Sequence, residues 1–428
     1  MRRFSGLPGM HLAIAVVCWN LFRPGAVSGT EPVPDSTLDS RLEAGESAAE
    51  TPRRKLIRWN EFDGPFLTLR MGGGALVDFV TFAQDDESRQ QLDLEPDVKP
   101  RDVRLTFKGK FKTERSITYS TGIMYDGATD RMLFRETGVM VAVPEAWGHF
   151  FVGRTKEGFS LNKVMVGYAG WTMERSTMND ASVPILADGI KWLGYIPGRH
   201  LLWNIGWYHD WFSEGQTFST YDQQVVLRVA VLPVLSEADR TVLHLGFNGR
   251  WGRPDDGVLR MRSRPEANPS PYFVDTDVFP ADFATHAGWE FYYRKGPWLL
   301  GHEYWYQRIG SSAVGDPVVH GGDVVLTWLI TGETRAYNTT GGFFFAVSPT
   351  RTVFEGGPGA WEAVLRFSCI DLDDAGLSGG KFWRLTPMLN WHLSDHLRLE
   401  CAYGYGVLSR FGLEGKTQFL QGRVQFQI

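Results

Sequence analysis

The chain is built from short segments in which apolar and polar residues alternate, with no long helical period. In 103–112, Val103, Leu105, Phe107 and Phe111 share one face, and Arg104, Thr106, Lys108, Lys110 and Lys112 share the other. Leu243, Leu245 and Phe247 oppose His244, Gly246, Asn248 and Arg250 in the same way. Trp361, Ala363, Leu365 and Phe367 oppose Glu362, Arg366 and Ser368, with Val364 out of pattern. Leu397, Leu399, Cys401, Tyr403 and Tyr405 oppose Arg398, Glu400, Ala402 and Gly404. The last residues continue this to the chain end, Leu420, Gly422, Val424, Phe426 and Ile428 against Gln421, Arg423, Gln425 and Gln427. Alternating segments of about ten residues, repeated along a chain, predict an all-β transmembrane antiparallel barrel, apolar face to lipid and polar face to lumen. Closing the sheet removes strand edges, which hydrocarbon does not tolerate. A secreted β-sandwich is the alternative pattern.

Sixteen strands are expected, near 66–82, 102–113, 115–125, 135–143, 147–155, 189–197, 200–211, 222–233, 241–252, 284–294, 297–308, 319–332, 360–371, 380–392, 395–408 and 417–428. The final strand is expected to close against the first, where Gly72, Gly73 and Gly74 permit bending or close packing. The gaps 156–188, 253–283 and 333–359 predict external or in-folded loops. Aromatic runs, Trp203-Trp207-Tyr208-Trp211, Trp289-Tyr292-Tyr293 and Trp298-Tyr304-Trp305-Tyr306, suit interfacial girdles.

Composition supports this picture: aromatic residues make up 14% of the 428 and there are 48 glycines, as tight-turned β proteins require. Residues 1–28 read as a signal peptide, with Arg2 and Arg3, an apolar run from His11 to Phe22, and Ala26-Val27-Ser28 before cleavage. A lipoprotein site at Cys18 is disfavoured by Val17 before it. Residues 29–52 hold six acids, one Arg and three Pro, so 29–56 is expected to be a flexible, acidic periplasmic segment. The barrel domain is expected over 57–428. The formal net charge of −5 gives no drive toward nucleic acid. Without residues 1–28, which carry three Arg and no acid, it becomes −8; the tail holds −5 of that, leaving about −3 for 53–428. Cys369 and Cys401 fall on strands separated by a third and both face outward, so no disulfide is expected.

Several motifs are more specific. Val152-Gly153-Arg154-Thr155-Lys156-Glu157-Gly158-Phe159-Ser160-Leu161, followed by Met173-Glu174-Arg175, resembles the G-Q-x-K-x-P-F-S-L-E … E-R motif of the phosphate-selective porin O and P family. Leu329-Ile330-Thr331-Gly332-Glu333-Thr334-Arg335-Ala336-Tyr337 resembles its L-T-G-E-x-R-x-Y, and Leu389-Asn390-Trp391 its L-N-W. Gly359-Ala360-Trp361-Glu362, Arg366-Phe367-Ser368, Ile370-Asp371-Leu372, Gly379-Gly380 and Ser263-Arg264-Pro265-Glu266 also fit. The matches run from about residue 65 to the end; Arg154, Gly158, Asn162 and the terminal Ile428 depart from the pattern. The resemblance implies a homotrimeric, sixteen-stranded outer-membrane channel with an in-folded constriction loop at 156–188. It further implies passive uptake of phosphate, polyphosphate or similar small anions, with outer-membrane lipid as the surroundings and no cofactor.

An anion path needs cations spaced along it, and Arg suits phosphate because its planar fork donates two parallel hydrogen bonds. Arg260, Arg262 and Arg264 point the same way in an extended chain, about 6–7 Å apart. They read as an anion-guiding ladder or as a solvated basic loop. Arg104, Lys108, Lys110 and Lys112 form a second row, with Glu290, Glu303, Glu333 and Glu362 as expected compensating acids. In the constriction region Arg154, Lys156 and Lys163 are the candidates, and Glu174 with Arg175 is expected to be a structural ion pair. Gly376-Leu377-Ser378-Gly379-Gly380 matches G-x-S-x-G but no helix follows, so it reads as a turn, not a nucleophile elbow. His392 and His396 flank an expected hairpin, and Asp371-Leu372-Asp373-Asp374 fails a calcium-loop template; no metal is expected. The alternatives to an anion channel are a non-selective or weakly cation-preferring porin, an outer-membrane hydrolase and a structural barrel.

Overall fold

The alternation becomes a closed barrel. The computed structural model describes residues 58–127, 129–209 and 221–428; the expected signal peptide and acidic segment lie outside the described residues, as does Trp211. Sixteen long strands follow one another around the wall: β1 (Thr68–Gln84), β2 (Asp97–Phe111), β3 (Ile117–Asp126), β4 (Thr137–Val143), β5 (Gly148–Thr155), β6 (Ala187–Ile196), β7 (Leu201–His209), β8 (Tyr221–Ser236), β9 (Thr241–Pro254), β10 (Phe283–Lys295), β11 (Trp298–Gly310), β12 (Val318–Leu329), β13 (Ala360–Asp374), β14 (Leu377–His392), β15 (Leu397–Arg410) and β16 (Leu413–Gln427). Each pairs antiparallel with the next, and β16 returns to β1, setting Val77 opposite Val424 and Asp78 opposite Arg423. Short strands supplement the wall: Glu61–Asp63 runs back along the start of β1, and Arg131–Phe134 pairs with the end of β3.

Burial is inverted relative to a water-soluble protein. On β16, Leu420, Val424 and Phe426 are almost half exposed, while Gln421, Arg423 and Gln425 between them are buried. Apolar surface held in water costs about 25 cal/mol per Å²; the same surface set in hydrocarbon carries no such cost, so this facing fits only a lipid-embedded wall. Val364, out of the alternating pattern, is buried on the lumen side against apolar loop residues. The aromatic runs divide by the pleat. Trp207, Trp289, Tyr293, Trp298 and Tyr306 are exposed outward, whereas Tyr208, Tyr292 and Trp305 are buried inside, so only alternate members join the girdle. At the short-turn end Trp298 stacks on Trp328 at 5.0 Å and Trp361 on Trp391 at 4.8 Å. Cys369 and Cys401 are free thiols.

Three long connections turn into the lumen. Residues 156–186 and 255–282 leave from the end opposite the short turns, and 330–359 from the short-turn end itself. Their large apolar residues, among them Phe159, Trp171, Phe273, Tyr337 and Phe344, are buried within the barrel.

Candidate permeation path

The inward loops are fixed by lumen-facing polar residues of the strands. Arg250 on β9 holds Glu157 at 2.5 Å. Glu303 on β11 accepts the Ser160 hydroxyl, the Asn162 amide at 2.9 Å and the Tyr292 hydroxyl at 2.8 Å. Ser160 itself sits at φ 65°, a left-handed conformation its backbone adopts while its amide donates to Asn248 at 3.0 Å. From the opposite end, Arg335 forks onto Glu362 with both contacts at 2.8 Å and donates to the Ala169 carbonyl at 2.9 Å. Arg228 forks onto Glu290 and donates to the Gly342 carbonyl at 2.7 Å. The two loops therefore meet in mid-lumen, where Trp171 packs on Phe344 at 6.2 Å and on Tyr292 at 5.7 Å.

This packing leaves an opening of about 360 Å³ against β2, β3 and the short strand Arg131–Phe134. Seven arginines and two lysines line it: Arg101, Arg104 and Arg135 from the wall, Lys156, Lys163 and Arg175 from one loop, and Arg260, Arg262 and Arg264 from another. Five carboxylates accompany them: Asp102, Asp126, Glu174, Asp180 and Glu266. Leu259, Met261 and Ser263 are buried between the arginines of 260–264, so the expected period of two is present and all three guanidiniums reach the opening. Tyr272 lies under two of them, Arg262 at 4.2 Å and Arg264 at 4.3 Å from its ring centre. Arg260 forks onto Asp275 at 2.8 and 2.6 Å. Across the opening, Arg104 sits 4.2 Å over the ring of Tyr168 and bonds Asp102, which also accepts the Tyr168 hydroxyl at 2.8 Å. A Cβ on Gly74 would come within 2.4 Å of that ring, so β1 needs glycine there for Tyr168 to dock. A guanidinium stacked on an aromatic face keeps its in-plane N–H edge for an oxyanion.

Of the candidate residues, the structure brings Arg104, Lys156, Lys163, Arg260, Arg262 and Arg264 to this one opening. The two lysines turn their ammonium groups into the loop, Lys156 to the Met165 carbonyl at 2.6 Å and Lys163 to the Val183 carbonyl at 2.7 Å. Burial, reinforced by the nearby Arg175, pushes Lys156 well down and Lys163 down to about 7. Lys108 and Lys110 lie further along the inward face of β2, in a separate opening of about 720 Å³. Lys112 is beyond them, paired with Asp63 at 2.6 Å.

Arg154 lines neither opening: it is buried and forks onto Asp188 at 2.7 and 3.1 Å, because the pleat at Gly153 (φ 132°) directs it at the neighbouring strand β6. The four acids expected to compensate the β2 row do not reach it. Glu290, Glu303 and Glu362 anchor the loops, and Glu333 bonds Thr331 and the Thr350 amide. Asp102 compensates Arg104 and Asp63 compensates Lys112, while Asp126 and Glu174 take Arg101. Glu174 and Arg175 do not pair with each other: Glu174 takes Arg101 at 2.8 Å and Arg423 at 2.5 Å, and Arg175 donates to the carbonyls of Asn162, Lys163 and Met165. Adjacent residues of an extended loop point apart, so each found partners on opposite sides. Arg101 and Arg135 were not among the candidates. Arg101 stands at a bulge in β2 and Arg135 between two short strands, so neither carries an alternation signal. Ser378 lies inside β14, without the strand-to-helix turn of a nucleophile elbow.

A sixteen-stranded barrel with a lipid-facing apolar belt and loops that narrow a charged lumen is an outer-membrane channel. Residues 70–428 match the model of the family described as "Phosphate-selective porin O and P", and the chain belongs to that family. It is a porin of the bacterial outer membrane. A curated "Uncharacterized protein" of Caulobacter vibrioides is 33% identical over 169 residues, 39% of this chain; the match spans about a third (34%) of that relative's length. Among solved structures, the outer-membrane channel DcaP of Acinetobacter baumannii superposes with a TM-score of 0.54 at 10% identity, over 86% of this chain and 99% of that one. The anion-selective porin from Comamonas acidovorans gives 0.51 at 12%, over 85% and 100%. Salmonella typhi OmpF, solved with daunomycin, gives 0.53 at 11%, over 86% and 100%. At these identities the likeness is one of fold.

Proposed function

We propose that the channel prefers anions and admits phosphate, polyphosphate or similar small oxyanions by passive diffusion. The supporting observation is the charge of the narrowed opening, seven arginines against five carboxylates, with Lys156 and Lys163 beside them. In a low-dielectric constriction an unbalanced set of fixed cations favours anions and repels cations. Three of the arginines are stacked on tyrosine rings, which suits forked donation to phosphoryl oxygens. The family description points the same way. Assembly as a trimer in outer-membrane lipid belongs to this reading, one of the similar structures being a Vibrio cholerae protein described in "trimer form".

The test is the reversal potential of the purified protein in a planar bilayer under a KCl gradient. Anion preference is expected, and cation preference would overturn the proposal. Replacing Arg260, Arg262 and Arg264 together by Gln should move the potential toward zero. An unchanged value would remove the ladder from the path. Added phosphate should block the chloride current at a lower concentration in the native protein than in the triple variant.

A further inference from the structure

The wall is interrupted beside the basic opening. β4 pairs with β5 as far as Thr137 opposite Arg154. Ahead of β4, the short strand Arg131–Phe134 pairs with β3 alone among the described strands, so its other edge is open. We infer that a second copy of this chain packs along that edge, over the outward face of β1 to β3, and completes the wall beside the opening. The inference rests on the trimeric reading above.

Met132 and Phe134 take outward positions and end two rows across the sheet: Ala75, Val103, Tyr125, Met132, and Gly73, Leu105, Ile123, Phe134. They are 63% and 58% exposed, against 43% for Phe367 and 48% for Phe426 on the unbroken wall. Water does not suit this surface, because it is apolar. Lipid does not suit the edge. A strand paired on one side turns part of its backbone N–H and C=O groups the other way, and hydrocarbon offers them no partner. A protein surface answers both needs, covering the side chains and bonding the edge. On the lumen side the same segment reaches the opening, where Leu133 and Arg135 stand beside Lys156, Pro184 and Ile185 of the inward loop. One copy therefore walls this part of its path with a loop and an unpaired edge, and the second copy seals it.

The test puts a photoreactive phenylalanine analogue in place of Phe134 and, separately, of Phe367, in the full chain in outer membranes. Irradiation should join two copies through the first position, seen as a dimer band after heating in SDS, and join only lipid at the second. Light scattering in mild detergent reads the assembly itself. Met132→Glu combined with Phe134→Lys should shift trimers to single copies. The KCl reversal potential of those copies should fall toward zero, because the wall beside the opening is no longer sealed. A trimer whose Phe134 position takes only lipid, a double variant that stays trimeric, or single copies with the native reversal potential would each overturn the inference and leave the trimeric reading standing. A native protein of monomeric mass would remove both.

Discussion

Lys163 shows how a single side chain ties conduction to pH. Its ammonium is buried against the Val183 carbonyl with Arg175 nearby, and it is held down at about 7 from its usual 10.5. Between those values the unfolded chain binds a proton that the folded loop does not. Stability therefore rises with pH across that window and is at its lowest, level, below about 7. Thermal unfolding of the native protein should move upward from pH 6 to pH 9.5, and Lys163→Met should flatten that slope. The same proton adds a cation beside the opening, so anion preference should be greater at pH 6 than at pH 8.5, a difference the Met variant loses. Arg423 is the stability counterpart. It is buried and forks onto Asp78 at 2.5 and 2.6 Å. Asp78→Ala leaves that cation with Glu174 and the Met173 carbonyl and should destabilise the barrel by about 3–5 kcal/mol, read from urea unfolding in detergent. Single residues were also where the sequence was least legible. The alternation told which way Arg104 faces, but not that Asp102 and Tyr168 would meet it, because ion pairs across a lumen join positions with no fixed spacing.

At the scale of elements the strands were legible and the loops were not. All sixteen expected strands have a counterpart, since lipid on one side and water on the other impose a period of two on every crossing. Their ends were less clear: β2 begins at Asp97, five residues before the expected 102, where the rim leaves the membrane and alternation lapses. The three loops carry apolar residues without period, and nothing in Trp171 or Phe344 announces that they pack together from opposite ends. This junction is testable. Trp171→Ala removes the ring between Tyr292 and Phe344, and the cavity it leaves should cost about 3–5 kcal/mol of loop anchoring. Open-channel conductance should rise and its noise increase, because 156–186 loses its central contact. A conductance equal to that of the native channel would mean that the polar anchors at Glu303 and Glu157 hold the loop unaided.

For the whole molecule, the net charge of −5 looks unsuited to an anion partner until charges are assigned to places. Much of the acidity lies in 29–52, and the acids that face the lumen on β10, β11 and β13 are consumed in holding loops. What remains around the opening is an excess of cations. Total charge therefore says little about selectivity, whereas charge lining the path governs it. The prediction at this scale concerns ionic strength. Selectivity carried by fixed charges is screened, so anion preference should weaken steadily between about 0.1 and 1 M KCl, as the screening length falls from about 10 to 3 Å.

One contact bears on how such a barrel is made. The seam between β1 and β16 is bridged by Arg423 and Asp78, and the same guanidinium reaches Glu174 and the Met173 carbonyl of the loop 156–186. The last strand thus grips the first strand and the plug at one point. Closing the wall and seating the loop are then coupled through one guanidinium: a barrel lacking the loop would still close Arg423 onto Asp78, but the same group would lose Glu174 and the Met173 carbonyl.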